Sequence, residues 1–284
     1  MLKCFANAKI NLLLDITGRE ENGYHTVNNI MQTVSLSDTV TLSCECDGIR
    51  VAYDDGYPVT DKDICLKAAK EYERVSGRRI NADIFINKVI PTAAGLGGNS
   101  SAAAAVLLLL QKEYNLIDDA DLLSIAESLG ADVPFFLVGG TALCEHYGER
   151  IAPLPDFSRH YVVIAKKGNK ESTAEMYKKI DTVRWEKKAD LEGMLTALSE
   201  KNGSVVIDKM FNVFEKVSNS EDILYIKEIM NSSGALGSML SGSGPAVFGL
   251  FENQEKAENC CKALCDAGIT AYLCETVDKG IIIE

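Results

Sequence analysis

The sequence predicts an α+β fold, and three observations carry the prediction. Alternating apolar residues mark strands near both ends of the chain. Apolar residues at helical spacing mark helices throughout. The two kinds of segment do not follow the regular strand–helix alternation of a doubly wound parallel sheet. The 284 residues suffice for two medium domains or one large one. Glycines and prolines between 148 and 155 place a boundary there, giving units of 1–155 and 156–284.

Each element follows in order. Cys4, Ala6, Ala8, Ile10, Leu12, Leu14 and Ile16 share one face of a strand, and Lys9 and Asn11 share the other. A lysine beside an asparagine in so apolar a strand reaches into a site or faces solvent. Gly18 to Gly23 is a polar turn leading to Tyr24 and His25. Val40, Leu42 and Cys44 alternate, followed by Ile49 and Val51. Thr60-Asp61 starts a helix whose stripe is Ile64, Ala68 and Tyr72, ending near Gly77. Ile80, Ala82, Ile84 and Ile86 form a strand leading to Lys88 and Pro91. A helix from Ser100 to Tyr114 is apolar all round and therefore central. Another, from Asp121 to Leu129, ends at Gly130. Proline 134 disfavours helix at Val133, so Asp132 lies in a turn or just outside a helix start, where capping is its plain role.

Beyond the boundary, Tyr161 to Ala165 is a strand and Ser172-Thr173 opens a short helix through Tyr177. Helices are expected around Leu191 to Leu198, Met210 to Val217 and Ile223 to Met230. Ala235–Leu240 and Val247–Phe251 are strands joined by a tight SGSGPA turn. A helix from Gln254 to Ala267 and a strand from Thr270 to Val277 close the chain.

Composition narrows the function. Hydrophobic residues make up 46% and charged residues 25%, as in globular proteins. A net charge of −12 argues against nucleic acid or an anionic membrane as partner, while leaving room for a locally basic pocket. The nine cysteines include no Cys-x-x-Cys pair, which disfavours zinc and redox motifs and fits a reducing cytoplasm. Cys261 and Cys265 read as small buried hydrophobes. The N-terminus has lysines at 3 and 9 and no unbroken apolar core, so it does not read as a signal peptide, and the apolar run Ala102 to Leu110 is too short to span a bilayer. His146 and His160 read as surface histidines.

The chemistry centres on Pro91 to Leu110. Three glycines (Gly95, Gly97, Gly98) follow a strand and open a helix at Ser100 and Ser101. Unpaired N–H groups and the positive end of the helix dipole make an anion site there, against the plainer reading of a glycine turn. No Gly-Lys-Ser/Thr follows and the glycine spacing is wrong for a dinucleotide, so two common phosphate loops are excluded. The protein-kinase motif set is absent as well.

Pro91-x-x-Ala94-Gly95-Leu96-Gly97-Gly98-x-Ser100-Ser101-x-Ala103-Ala104 resembles the phosphate loop of the GHMP kinases. Ser241 to Phe248 resembles that family's C-terminal glycine-rich motif. Ala8 to Val27, Gly130 to Leu143, Gly148-Glu149 and Pro153-Leu154-Pro155 resemble the branch whose acceptor is a cytidine-diphosphate-linked methylerythritol. Ser172-Thr173 with Tyr177, and Asn212 with Glu215, are weaker matches. The resemblance covers nearly the whole chain.

The resemblance implies a two-domain GHMP kinase fold, with an N-terminal half like ribosomal protein S5 domain 2 and a C-terminal ferredoxin-like α/β sandwich. It implies transfer of the γ-phosphoryl of ATP, with Mg²⁺, to the tertiary 2-hydroxyl of that acceptor, in isoprenoid precursor synthesis. Asp132 would accept the hydroxyl proton, and Lys9 beside it would stabilise the negative charge. The ATP phosphates would lie on Pro91, Thr92, Ala93, Ala94, Gly95, Leu96, Gly97, Gly98, Asn99, Ser100 and Ser101. Asn11, Tyr24, His25 and Tyr177 would bind the acceptor, with His25 at the cytosine edge. Tyr24 and Tyr177 would be the flanking rings, with Trp185 competing for the second. Few protein ligands to the metal and a monomer or weak homodimer are expected.

Three departures stand out. Asn99 replaces a glycine and suits the position if its φ is positive. Ala102 replaces an Asp or Asn, losing a polar group. AKKGNKEST follows Val162-Val163-Ile164 where the branch shows Lys-Pro and then Val-Ser-Thr. Two other readings are a GHMP kinase for another small alcohol and a non-catalytic ligand-binding relative. The retained Gly-Tyr-His segment weighs against the first, and retained Lys9 and Asp132 against the second.

Overall fold

Two long strands frame the molecule. β1 (Leu2–Arg19) and β2 (His25–Ser43) pair antiparallel from Leu2↔Leu42 to Arg19↔His25. The register shifts at Asn7/Ala8, at Asn11/Leu13 and at Ile16/Gly18. Such bulges re-aim side chains, and here Leu12 and Leu13 are both buried directly after Asn11. The structure is a computed structural model. It describes residues 1–54, 56–157, 159–168, 172–183, 188–218 and 220–284. Trp185, and residues 169–171 of the departing AKKGNKEST segment, lie outside the described residues.

The chain continues through β3 (Ile49–Tyr53), α1 (Ile64–Ser76), β4 (Ala82–Asn87), α2 (Gly98–Tyr114), α3 (Asp119–Leu129), α4 (Val133–Val138), β5 (Thr141–His146) and β6 (Arg150–Pro153). Then come β7 (Tyr161–Lys166), α5 (Thr173–Ile180), α6 (Leu191–Ser199), α7 (Gly203–Asp208), β8 (Phe211–Asn212) and a 3-10 turn (Val213–Lys216). α8 (Glu221–Ser232), β9 (Gly237–Leu240), β10 (Val247–Phe251), α9 (Gln254–Asp266), β11 (Thr270–Glu275) and β12 (Ile281–Ile283) complete it. The first sheet runs β12-β1-β2-β4-β3, with β5 and β6 attached through β2 and β8 attached to β1. The second runs β11-β7-β10-β9. The mixture of strand directions and the helices packed on both sheets are the expected α+β arrangement.

α2 is the central helix. From Ser101 to Leu110 all but Leu108 are buried, against α1, α3, α4 and β1. An apolar all-round sequence needs this position, since it has no face to offer water. A core of α2 residues with Ala68, Tyr72, Ile84 and Phe136 lies on one side of the first sheet. A second core, with Ile10, Leu12, Leu96 and Phe248, joins that sheet to the second.

The helix expected from Met210 to Val217 is instead β8 followed by the 3-10 turn. Asn212 explains the difference. Its Nδ2 donates to the carbonyls of Leu240 and Gly242, both at 2.8 Å, and its Oδ1 accepts from Phe214 N–H at 2.9 Å. β8 also pairs with β1 at Leu13 and Leu14. These tertiary bonds outweigh the local helical spacing. β5, β6, α7 and β12, elements of only three to six residues, have no counterpart in the sequence reading. No helix among the described residues is long and apolar enough to cross a membrane.

Candidate active site

The loop between β4 and α2 is held by backbone geometry. Ala93, Gly95 and Gly97 have φ of 50°, 84° and 72°. A Cβ on Gly95 would lie 2.1 Å from the Ser241 carbonyl oxygen, and one on Gly97 would lie 2.6 Å from the Phe136 ring. Glycine is therefore required at both by conformation and by space. Gly97 caps α2 without a side-chain bond, so the first turn presents its N–H groups to the loop's concave side. Ser101 N–H bonds the Gly97 carbonyl at 2.9 Å.

Asn99 lies in that first turn, within the helix and outside the positive-φ set. It needs no left-handed backbone, so glycine has no conformational advantage there. Ala102 is buried in the apolar core, a setting that does not call for a polar group. Ser100 faces the cleft. Ser101 is fully buried, and its Oγ donates to the Asn7 carbonyl at 2.7 Å, so its hydroxyl is used inside the fold.

β1 delivers Lys9 and Asn11 to the same place. Lys9 is 4% exposed; its Nζ donates to Asn11 Oδ1 at 2.8 Å and lies 3.9 Å from Asp132 Oδ2. Burial lowers its pKa, and the charge of Asp132 and then Cys144 oppose that shift. Asn11 Oδ1 also accepts from Gly242 N–H at 2.7 Å, and its Nδ2 donates to Asn29 Oδ1 at 2.7 Å. Both ends of the amide are thus engaged, tying the lysine strand to the SGSGPA turn. Asp132 occupies the N-cap position of α4 but makes no capping bond. Its half-exposed carboxylate is turned to Lys9 instead.

The opposite end of the site is aromatic. His25 stacks on Tyr177, with centroids 4.7 Å apart and planes 19° apart. Tyr177 meets Phe214 edge-on at 5.1 Å. Burial, then the Asp132 charge, pushes the Tyr177 phenol up to about 12. Asp181 holds His25 Nε2 at 2.7 Å and Arg19 at 3.1 Å. Tyr24 is 68% exposed on the rim, 5.6 Å from the Tyr147 ring. Asn22 donates to the Tyr147 hydroxyl at 2.8 Å and accepts from Tyr24 N–H at 2.9 Å, which clamps the turn.

One cleft of about 270 Å³ gathers Lys9, Asn11, Pro91 to Ser100, Asp132 and Tyr177. Tyr147, Thr173, Phe214, Gly242 and Ser243 also line it. Ser101, Tyr24 and His25 are not among its walls, but His25 stacks on the lining Tyr177 and Tyr24 meets the lining Tyr147. A second cleft of about 520 Å³, with Tyr53, Tyr57, Thr60 and Asp63, shares Lys88, Thr92, Ala93 and Asn99 with the first. The phosphate loop is therefore the ridge between two hollows.

Asp38 and Tyr147 escaped the sequence reading, and Asn212 and Glu215 entered it only as weaker matches. Buried Asp38 pairs with Lys88 and accepts from Val89 and Ile90 N–H at 2.7 and 2.8 Å, fixing the loop's entry. Glu215 accepts from Leu240 N–H at 3.0 Å and pairs with Lys227, so Asn212 and Glu215 together hold the SGSGPA turn from beneath. Tyr147 offered only an aromatic before Gly148. His146, expected at the surface, is half-buried with Nδ1 2.5 Å from Glu149, and His160 stacks on Phe157. Among the described residues, no group of three His, Cys, Asp or Glu is placed to hold a metal.

The family models for the GHMP kinases N terminal domain and the GHMP kinases C terminal match residues 63–140 and 194–270. A 4-diphosphocytidyl-2-C-methyl-D-erythritol kinase of Clostridium novyi is 37% identical over 96% of this chain and 99% of its own. The enzyme of that name from Acetivibrio thermocellus is 38% identical over 96% and 98%. A crystal structure of 4-(cytidine 5'-diphospho)-2C-methyl-D-erythritol kinase superposes with a TM-score of 0.84, at 31% identity over 96% of this chain and 98% of the other. Homoserine kinase from Cytophaga hutchinsonii, 20% identical over 100% and 97%, shares the fold with a TM-score of 0.76.

Proposed function

The chain belongs to the GHMP kinases, and within them to the 4-diphosphocytidyl-2-C-methyl-D-erythritol kinases, and on that premise we propose which residues perform the reaction. The enzyme is an ATP-dependent small-molecule kinase. It phosphorylates the 2-hydroxyl of 4-diphosphocytidyl-2-C-methyl-D-erythritol in the synthesis of isoprenoid precursors.

Asp132 is the base that takes the hydroxyl proton, and Lys9 stabilises the developing alkoxide. The observation that carries this is the Lys9–Asp132 approach of 3.9 Å at the mouth of the glycine loop, in one cleft. A buried ammonium acts strongly there because the surroundings screen it poorly. The triphosphate rests on the N–H groups from Ala94 to Ser100, and the nucleoside end of ATP enters the second cleft past Thr92 and Asn99. Asn11 acts on the acceptor by fixing Lys9. His25 meets the cytosine edge, with Tyr177, Tyr24 and Tyr147 as the rings around the base.

A Mg²⁺ arriving on the nucleotide would be held mainly by the nucleotide itself, and Ser100, which lines the cleft, is the protein residue that would add a hydroxyl to it. When bound, it supplies neutralisation of phosphate charge. A monomer or weak homodimer is proposed. All nine cysteines are free thiols, which fits a reducing cytoplasm. Residues 1–155 and 156–284 are proposed as the two units, because every strand of the second sheet follows residue 155.

The test is ADP release with ATP, Mg²⁺ and a panel of alcohols. Turnover of the cytidine-linked substrate above all others is expected. Turnover of a different alcohol alone would sink the assignment.

A further inference from the structure

The His25 imidazole has two nitrogens, and the fold has committed one of them. Nε2 lies 2.7 Å from Asp181 Oδ1, and the second carboxylate oxygen is held by Arg19 at 3.1 Å. An ionised carboxylate only accepts, so the proton of that bond sits on Nε2. In a neutral ring the other nitrogen, Nδ1, is then an acceptor. Among the described residues the ring's only hydrogen bond runs through Nε2. The side chain as a whole is 9% exposed, and its Nδ1 is left open to a ligand.

We propose that Asp181, at the C-terminal end of α5, is a positioning residue that sets the His25 tautomer, so that Nδ1 accepts from a base bearing an amino group at its 4-position. This rests on the reading above that the base lies at His25. Cytosine presents the N4 amino donor there, whereas uracil presents a carbonyl oxygen whose lone pairs oppose those of Nδ1. A base bonded edge-on to His25 shares the imidazole plane. Because that plane is within 19° of Tyr177, such a base also lies parallel to the tyrosine ring. One carboxylate thereby links base choice to base stacking. It reaches from the helix of one sheet layer to the hairpin end of the other, where Arg19 pairs with His25 in register. A site built around one hydrogen-bonding pattern rejects the analogue that leaves a buried group unpaired.

A plain interdomain latch would use the same contacts, and kinetics separate the two. The full-length enzyme is assayed with the cytidine-linked substrate and its uridine-linked counterpart. Wild type is expected to favour cytidine by at least about 100-fold in kcat/KM. Asp181→Ala is expected to raise KM for the cytidine-linked substrate about tenfold, leave KM for ATP unchanged, and cut the preference to below about tenfold. Arg19→Ala leaves the His25–Asp181 bond and keeps the preference. An unchanged preference in Asp181→Ala overturns the proposal and leaves only a latch. Absence of turnover of either substrate by wild type counts against the functional reading instead. Should the variant not fold, nitrogen-15 NMR of the wild-type protein decides, since only three histidines contribute. His25 protonated at Nε2 and bare at Nδ1 is expected; the opposite tautomer overturns the proposal.

Discussion

Lys9 is useful because its surroundings make it uncomfortable. Burial disfavours its charge, and Asp132 is the first group that opposes this. The depressed pKa means that the charged form, present at low pH, is lost on the way up before an ordinary lysine at 10.5 would lose it. The pH profile of kcat/KM is therefore expected to fall on its alkaline side below that value. Activity undiminished through the ordinary lysine range would contradict the role. Asp132→Asn is expected to lower kcat by roughly 10²–10⁴ while ATP binding persists, read by ADP release and by nucleotide titration. At this scale the sequence was partly legible. The two-residue period alone puts Lys9 and Asn11 on one face, but the partners of Asn11 come from positions 29 and 242, a pairing that no local pattern encodes. Asp181 was hidden for the same reason, since its meaning depends on a histidine 156 positions earlier.

The elements show where local pattern and tertiary demand diverge. The glycine loop was readable because its chemistry is contiguous: a strand, positive-φ glycines and a helix start. Gly95 backs directly onto Ser241, whose Oγ donates to the Gly95 carbonyl at 3.0 Å. Gly95→Ala is expected to push the two turns apart and cost more than about 1 kcal/mol, seen as a lower melting temperature with weakened ATP binding. Asn99→Gly tests the opposite point. In a helical first turn the glycine should lower stability by roughly 0.5–1 kcal/mol, and a stabilised variant would mean that the left-handed expectation was right. The segment 210–217 misled because its apolar spacing suits a helix while Asn212 is needed elsewhere. Asn212→Ala is expected to cost about 1–3 kcal/mol by stranding the Leu240 and Gly242 carbonyls, measured by denaturant unfolding.

Across the whole molecule, the ends of the chain meet. β12 pairs with β1 at Cys4, Phe5 and Ala6, and Asn7 bonds the backbone of Gly280 and Lys279, each at 2.9 Å. Asn7 in turn receives the Ser101 hydroxyl from α2. Removing residues 278–284 is expected to lower the melting temperature clearly and to reduce activity, although no removed residue lines either cleft. Full activity would show that the closing strand is dispensable. This interlocking was invisible beforehand because a three-residue strand carries too few alternations to be told from a loop.

The Asn11–Gly242 bond also sets a schedule. A ribosome delivers Lys9, the glycine loop and Asp132 within the first half of synthesis, but the turn that braces them is made only after residue 240, and the strand that closes the sheet last of all. Nascent chains therefore display phosphate-binding parts long before they hold a working centre. A chain interrupted before residue 242 lacks that brace and is expected to turn over no ATP.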